Sequence, residues 1–208
     1  RVALLRRAVA TVLRAGPFDV VHGLWADEPG VVAAIAGRAL GARVLVSFMG
    51  GERANLSSIG YGGQLERLGL LLVDTAVRLA HHVTVGSPWY VSRLPPSWRD
   101  KASVLPLALT PTPWFDRREA GAQPLRVGLI ASLSPVKAPG LLLTAAARAQ
   151  ADGASLAVTI IGDGPLRSRL DHQARRLGVA AQFVGEVPFP SLYEHVHRLD
   201  VGVQTSWW

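Results

Sequence analysis

The sequence of 208 residues contains no cysteine, which excludes disulfides, thiolate metal sites and cysteine nucleophiles. Its single methionine is Met49 and residue 1 is an arginine, so it reads as a piece of a longer chain. Long hydrophobic runs are missing as well. The longest, residues 68–73 and 141–147, fall far short of the roughly 20 residues that cross a bilayer. The first residues form an arginine-bearing amphipathic pattern without a cleavage site, so no signal peptide is expected.

Several familiar site patterns are absent too. Gly60-Tyr61-Gly62 needs a glycine at position 65 to complete a dinucleotide fingerprint, and that residue is Leu65. There is no P-loop, no nucleophile-elbow serine and no acid pair at DxD spacing. His195 and His197 are two apart in a helical stretch, hence on nearly opposite faces, and the His81-His82 pair alternates in a strand. No metal site is expected.

What remains is a globular composition, 49% hydrophobic and 18% charged, long enough for one large or two small domains. The net charge is +7, and twenty of the twenty-two basic residues are arginine. Many fall in helical patterns, among them Arg6, Arg7, Arg14, Arg167, Arg169, Arg175 and Arg176. Such charge fits a solvated helix face first, and attraction to anionic lipid or a phosphorylated substrate second. No aromatic-plus-basic recognition motif accompanies it, so nucleic acid is not an expected partner.

The second half alternates strand and helix. Apolar runs at 126–131, 156–161, 182–187 and 200–205 read as strands, with a helical pattern at 141–150 and others between the later runs. Alternation of this length implies parallel β-α-β units, whose ligands bind beyond the carboxyl ends of the strands. The first half has the same grammar. Helices are expected at 2–15, 30–40, 64–80 and 89–94, and strands at 18–22, 43–48, 82–86 and 103–106. Residues 107–124 carry prolines and a glycine without periodicity and read as a linker. The expected fold is therefore α/β: two Rossmann-like lobes with parallel sheets, residues 1–120 and 121–208, both incomplete.

Candidate site residues cluster at strand ends. Lys137 sits six residues past Ala131, where an ammonium beside free helix amides would anchor a diphosphate, or where it is an ordinary exposed lysine. Gly162-Asp163-Gly164-Pro165 fits first a tight strand-to-helix turn with Pro165 at the first helical position, and second a ligand-contacting turn. Gly185-Glu186-Val187 ends another strand, where Glu186 is either solvated or an acceptor for a sugar hydroxyl. In the first half, the amides of Gly50, Gly51, Gly62 and Gly63 lie in a long loop of functional length or a surface Ω-loop. His22 and Trp25 follow a buried-looking strand as structural or cleft residues.

Taken together, these residues resemble retaining glycosyltransferases of family 4, which have the two-Rossmann GT-B architecture. The match runs through 127–137, 160–166, 183–188 and 200–206, and in the first half through 18–22, the turn after 43–48 and 104–108. The resemblance implies a sugar moved, with retention, from a nucleoside-diphosphate-sugar to a saccharide, lipid or small-molecule acceptor. It places the donor at Ser132, Lys137, Gly162, Asp163, Gly164, Gly185, Glu186, Val187 and Ser206. The acceptor side holds His22, Trp25, Gly50, Gly51 and Glu52. It further implies no metal and no cofactor beyond the nucleotide-sugar co-substrate. The donor class and the basic helices lead to the expectation of a cytoplasmic location, either free or peripheral at the inner membrane face.

Ser132 stands where the family often has arginine, and Met49 where it often has histidine. The family's glutamate pair, with seven residues between, is expected beyond Trp208. Residues 1–208 alone are therefore expected to be inactive. Two alternatives share the fold: a nucleotide-sugar 2-epimerase and a non-catalytic nucleotide-sugar-binding protein.

Overall fold

The computed structural model describes residues 1–108 and 124–208, and the chain divides into two compact units, Arg1–Ala108 and Leu109–Trp208. The boundary expected at residue 120, with most of its linker, lies outside the described residues.

The first unit holds four parallel strands in sequential order: β1 (Val20–Leu24), β2 (Arg43–Ser47), β3 (His82–Val85) and β4 (Ala102–Val104). Helices α1 (Val2–Ala15), α2 (Glu28–Ala39) and α3 (Arg67–Leu79) pack as neighbours, followed by the short α4 (Pro88–Arg93) and α5 (Pro96–Arg99). Right-handed crossovers that advance in one direction bring their helices to one face, which is why α2 and α3 touch. Between them and the strands lies a core of Val44, Val46, Val83, Val85, Ala34, Ala36, Ala76 and Val77. No residue of α1 is fully buried, although Leu5 and Val12 of its apolar stripe reach the core. Ser87 caps α4 by accepting from the Tyr90 amide at 3.3 Å, with Pro88 supplying a first position that needs no donor.

The second unit holds β5 (Leu125–Ile130), β6 (Leu156–Ile161), β7 (Ala181–Gly185) and β8 (Val201–Gly202), all parallel, in the order β7-β6-β5-β8. Helices α6 (Gly140–Ala151) and α7 (Arg167–Leu177) pack together, and α8 (Phe189–His197) makes the return crossover. Leu129, Leu133, Leu143 and Ile160 are fully buried, each worth about 1.5–3 kcal/mol of burial. Strand order reverses between β5 and β8, which makes their carboxyl ends the topological switch point of this sheet.

Two expected details differ. The strand expected at 200–205 is only Val201–Gly202: after the Val203 amide bonds Gly128, the chain leaves the sheet to dock beside Lys137. Helix α7 begins at Arg167, so Pro165 lies in the preceding turn and not at the first helical position. Among the described residues, no helix is long and apolar enough to cross a membrane.

Candidate functional site

In the second unit the loops beyond β5, β6 and β7 are stitched together by backbone bonds. Leu133 is the anchor of the first loop. Its side chain is fully buried, its amide bonds the Asp163 carbonyl at 2.9 Å, and its carbonyl accepts from the Leu166 amide at 3.0 Å. The Gly162 amide bonds the Gly185 carbonyl at 2.7 Å. A Cβ on Gly162, at φ 122°, would collide with the Ala131 carbonyl, and one on Gly164 would lie 2.8–3.0 Å from the Leu133 backbone. Close approach between loops therefore explains both glycines without a ligand. Asp163 turns its carboxylate onto the Gly164 amide at 2.7 Å. Ser132 is exposed and pairs with Ser134 at 3.1 Å, Glu186 is exposed, and Val187 is half-buried.

Lys137 closes a single 3-10 turn, Pro135–Lys137, ahead of α6. Ala138 follows at φ 45°, a left-handed conformation that is uncommon outside glycine. The chain leaving β8 clips this turn at two points. Thr205 Oγ1 donates to the Lys137 carbonyl at 2.7 Å, and the Trp207 amide donates to the Val136 carbonyl at 2.9 Å. Ser206 lies between them, and its hydroxyl is buried without a hydrogen-bond partner among the described residues. Lys137 is half-buried, and none of the described groups pairs with its ammonium. Lys101, the other lysine, is fully employed. Its ammonium caps α3 on the Val77 carbonyl and, at 3.2 Å, on the Ala80 carbonyl, and burial lowers its pKa. The switch point thus carries half-buried Lys137 and the buried Ser206 hydroxyl, the ammonium and the hydroxyl each without a partner among the described residues. Buried polar groups are nearly always hydrogen-bonded, so the orphan Ser206 hydroxyl calls for an explanation.

Of the residues expected on the acceptor side of the first unit, Trp25, Gly50 and Gly51 lie in or beside the loops that Glu52 ties together, whereas His22 bonds Ser47. The Glu52 side chain is buried, with Glu52 4% exposed, and its carboxylate accepts from three amides: Ala26 at 3.2 Å, Met49 at 2.8 Å and Gly50 at 2.8 Å. One carboxylate therefore joins the loops after β1 and β2. The Tyr90 hydroxyl donates to the Gly50 carbonyl at 3.0 Å, and burial raises its pKa. Gly51 packs against the Tyr61 ring and Gly63 against the Glu52 backbone, so these two glycines serve the loop's internal packing. His22 Nε2 lies 2.7 Å from Ser47 Oγ, which lies 2.5 Å from Thr84 Oγ1, a polar row across β1, β2 and β3.

Sequence reasoning missed the clip from Thr205 and Trp207, the left-handed Ala138 and the Ser47–Thr84 row. The clip joins residues 68 apart and left no local pattern to read. For Ser47 and Thr84 a signal existed: each is a hydroxyl residue that directly follows a valine of a strand.

No family model and no curated protein sequence matches the chain. Solved structures do. HepE of Anabaena, solved with UDP and glucose, matches over 98% of this chain and 56% of its own, with 19% identity and a TM-score of 0.72. A TarM variant of S. aureus, solved with fondaparinux, α-GlcNAc-glycerol and UDP, matches 97% of this chain and 40% of its own, at 11% identity and a TM-score of 0.72. The catalytic domain of starch synthase IV from Arabidopsis thaliana, bound to ADP and acarbose, gives 98% and 55%, at 16% identity and a TM-score of 0.64. The chain spans about half the length of these structures, or less. At such identities the likeness establishes the fold: two Rossmann-like units with parallel sheets, as in GT-B glycosyltransferases.

Proposed function

We propose that this chain is the core of a retaining family 4 glycosyltransferase that moves a sugar from a nucleoside-diphosphate-sugar to an acceptor. The observation that carries the reading is half-buried Lys137, its ammonium without a partner among the described residues, in the turn onto which the segment bearing the orphan Ser206 hydroxyl docks, at the switch point of a nucleotide-binding type of sheet. A diphosphate satisfies both groups. Lys137 stabilises the negative charge that grows on the leaving nucleoside diphosphate, more strongly in the transition state than in the bound donor. Ser206 donates to a phosphate or ribose oxygen, and the rim at Gly185–Val187 borders the base. Ser132 brings a hydroxyl where the family often has a guanidinium, so Lys137 bears more of the charge. The first unit, with His22, Trp25, Gly50, Gly51 and Glu52 at its carboxyl edge, receives the acceptor. Among the described residues no group of three or more His, Asp or Glu is placed to hold a metal ion; the proposed chemistry assigns the charge stabilisation to the ammonium.

Calorimetric titration of the chain with UDP, ADP and GDP tests this reading. Saturable binding of at least one is expected, and heat-silent titrations with all three contradict it.

A further inference from the structure

His81 holds Val44 by two bonds, one from its backbone and one to its ring. The His81 amide donates to the Val44 carbonyl at 2.9 Å, and the Val44 amide donates to His81 Nδ1 at 2.8 Å. Val44 is a core residue of β2, and the ladder between β2 and β3 begins one step later, at Leu45 and His82. The ring therefore supplies the acceptor that a buried amide needs where the strand pairing has not yet started. A backbone N–H only donates, so Nδ1 carries no proton and the ring is neutral, with its proton on Nε2.

His81 closely follows α3, and the carboxyl end of a helix ordinarily favours an imidazolium. Here those carbonyls are already taken. Arg38 Nε, at the end of α2, donates to the Leu79 carbonyl at 2.7 Å, and the Lys101 ammonium, ahead of β4, donates to the carbonyls of Val77 and Ala80. Arg43, at the start of β2, brings a third positive charge to bear on the ring. Partial burial, then the charges of Arg38, Arg43 and Lys101, lower the His81 pKa below the ordinary 6.5.

We infer that His81 is an acid-sensitive clamp built into the first unit, tying β2 to the α3–β3 junction while neutral and releasing it when protonated. A proton on Nδ1 sets one N–H against another, leaves the buried Val44 amide without its acceptor and adds a fourth cation to the three around it. The folded chain binds this proton less readily than the unfolded chain does. The stability that the neutral ring contributes is therefore complete above pH 6.5 and is lost as pH falls through the lowered value.

His81→Asn keeps an acceptor oxygen near the position of Nδ1 and does not titrate. Thermal melts of the parent chain and this variant, followed from about pH 8 to about pH 5, should run parallel down to pH 6.5. Below that the parent should fall away from the variant. Nitrogen-15 NMR of the imidazole rings reads the same state in the parent chain, so the inference stays testable if His81→Asn does not fold. The expected result is an unprotonated Nδ1 at neutral pH and a titration midpoint below 6.5. Melting curves that stay parallel through the acid range, a proton on Nδ1 at neutral pH, or a midpoint at or above 6.5 overturns the inference.

Discussion

The hydroxyl of Thr205 donates to the carbonyl of Lys137 at 2.7 Å, across the point where the strand order of the second sheet reverses. This bond holds the chain after β8 against the turn that follows β5. Arg126 and Asp200 pin the opposite end of that strand pair. Asp200 accepts from Arg126 Nη2 at 2.6 Å and from its Nε at 2.9 Å, with the Asp200 side chain only 2% exposed. The β5–β8 seam is thus held at both ends, by a bidentate ion pair at one and by the clip onto the Lys137 turn at the other.

Thr205→Val keeps the shape of the clip and removes its hydrogen bond. A neutral bond of this kind contributes about 0.5–1.5 kcal/mol, so nucleoside diphosphate affinity should fall about threefold to tenfold. Calorimetry checks it. An affinity equal to that of the parent chain would show that the clip does not order the site.

Gly162→Ala places a methyl group against the Ala131 carbonyl at a backbone φ that alanine rarely adopts. The expected outcome is a loss of about 2–4 kcal/mol, in the range of backbone-strain and overpacking mutants, measured by urea unfolding. A Gly178→Ala control meets no atom within 4 Å, although it too carries a positive φ, so its smaller cost isolates the steric part.

Asp27 predicts a pH effect. Burial, then the charges of Glu28 and Glu52, raise its pKa above the ordinary 3.8. The folded chain therefore holds this proton more tightly than the unfolded chain does. The stability gained from the protonated form is complete below pH 3.8 and is lost as pH rises through the raised value. At neutral pH the ionised carboxylate opposes folding. Asp27→Asn should melt higher than the parent at pH 7, with the gap narrowing as pH falls toward 4. A gap that is constant with pH would point to a cause other than ionisation.

Much of the fold was legible because the strands are short apolar runs set between amphipathic helices. Helix α1 and strand β6 fall where their periodicity puts them, and β2 differs by one residue at its end. The last strand was misjudged because apolarity at 201 and 203 does not distinguish a ladder from a segment that leaves the sheet to pack on a loop. In the site, glycine and lysine positions were visible, yet their roles were not. The approach of Gly162 to Ala131 and the capping of α3 by Lys101 depend on contacts across the sequence. Glu52 was legible as a residue and not as a tie between two loops, since its partners Ala26 and Met49 contribute only backbone amides.

The two lysines allow the most direct test: Lys101 caps α3, whereas Lys137 is proposed to hold the diphosphate. Lys137→Ala and Lys101→Ala should be compared by calorimetry with UDP, ADP and GDP and by thermal melting. The account predicts that Lys137→Ala loses about tenfold to a hundredfold in affinity, as for a charged hydrogen-bond donor, with its melting temperature unchanged. Lys101→Ala should melt lower and bind as the parent does. Nucleotide affinity that survives Lys137→Ala intact would contradict the assignment of the diphosphate site.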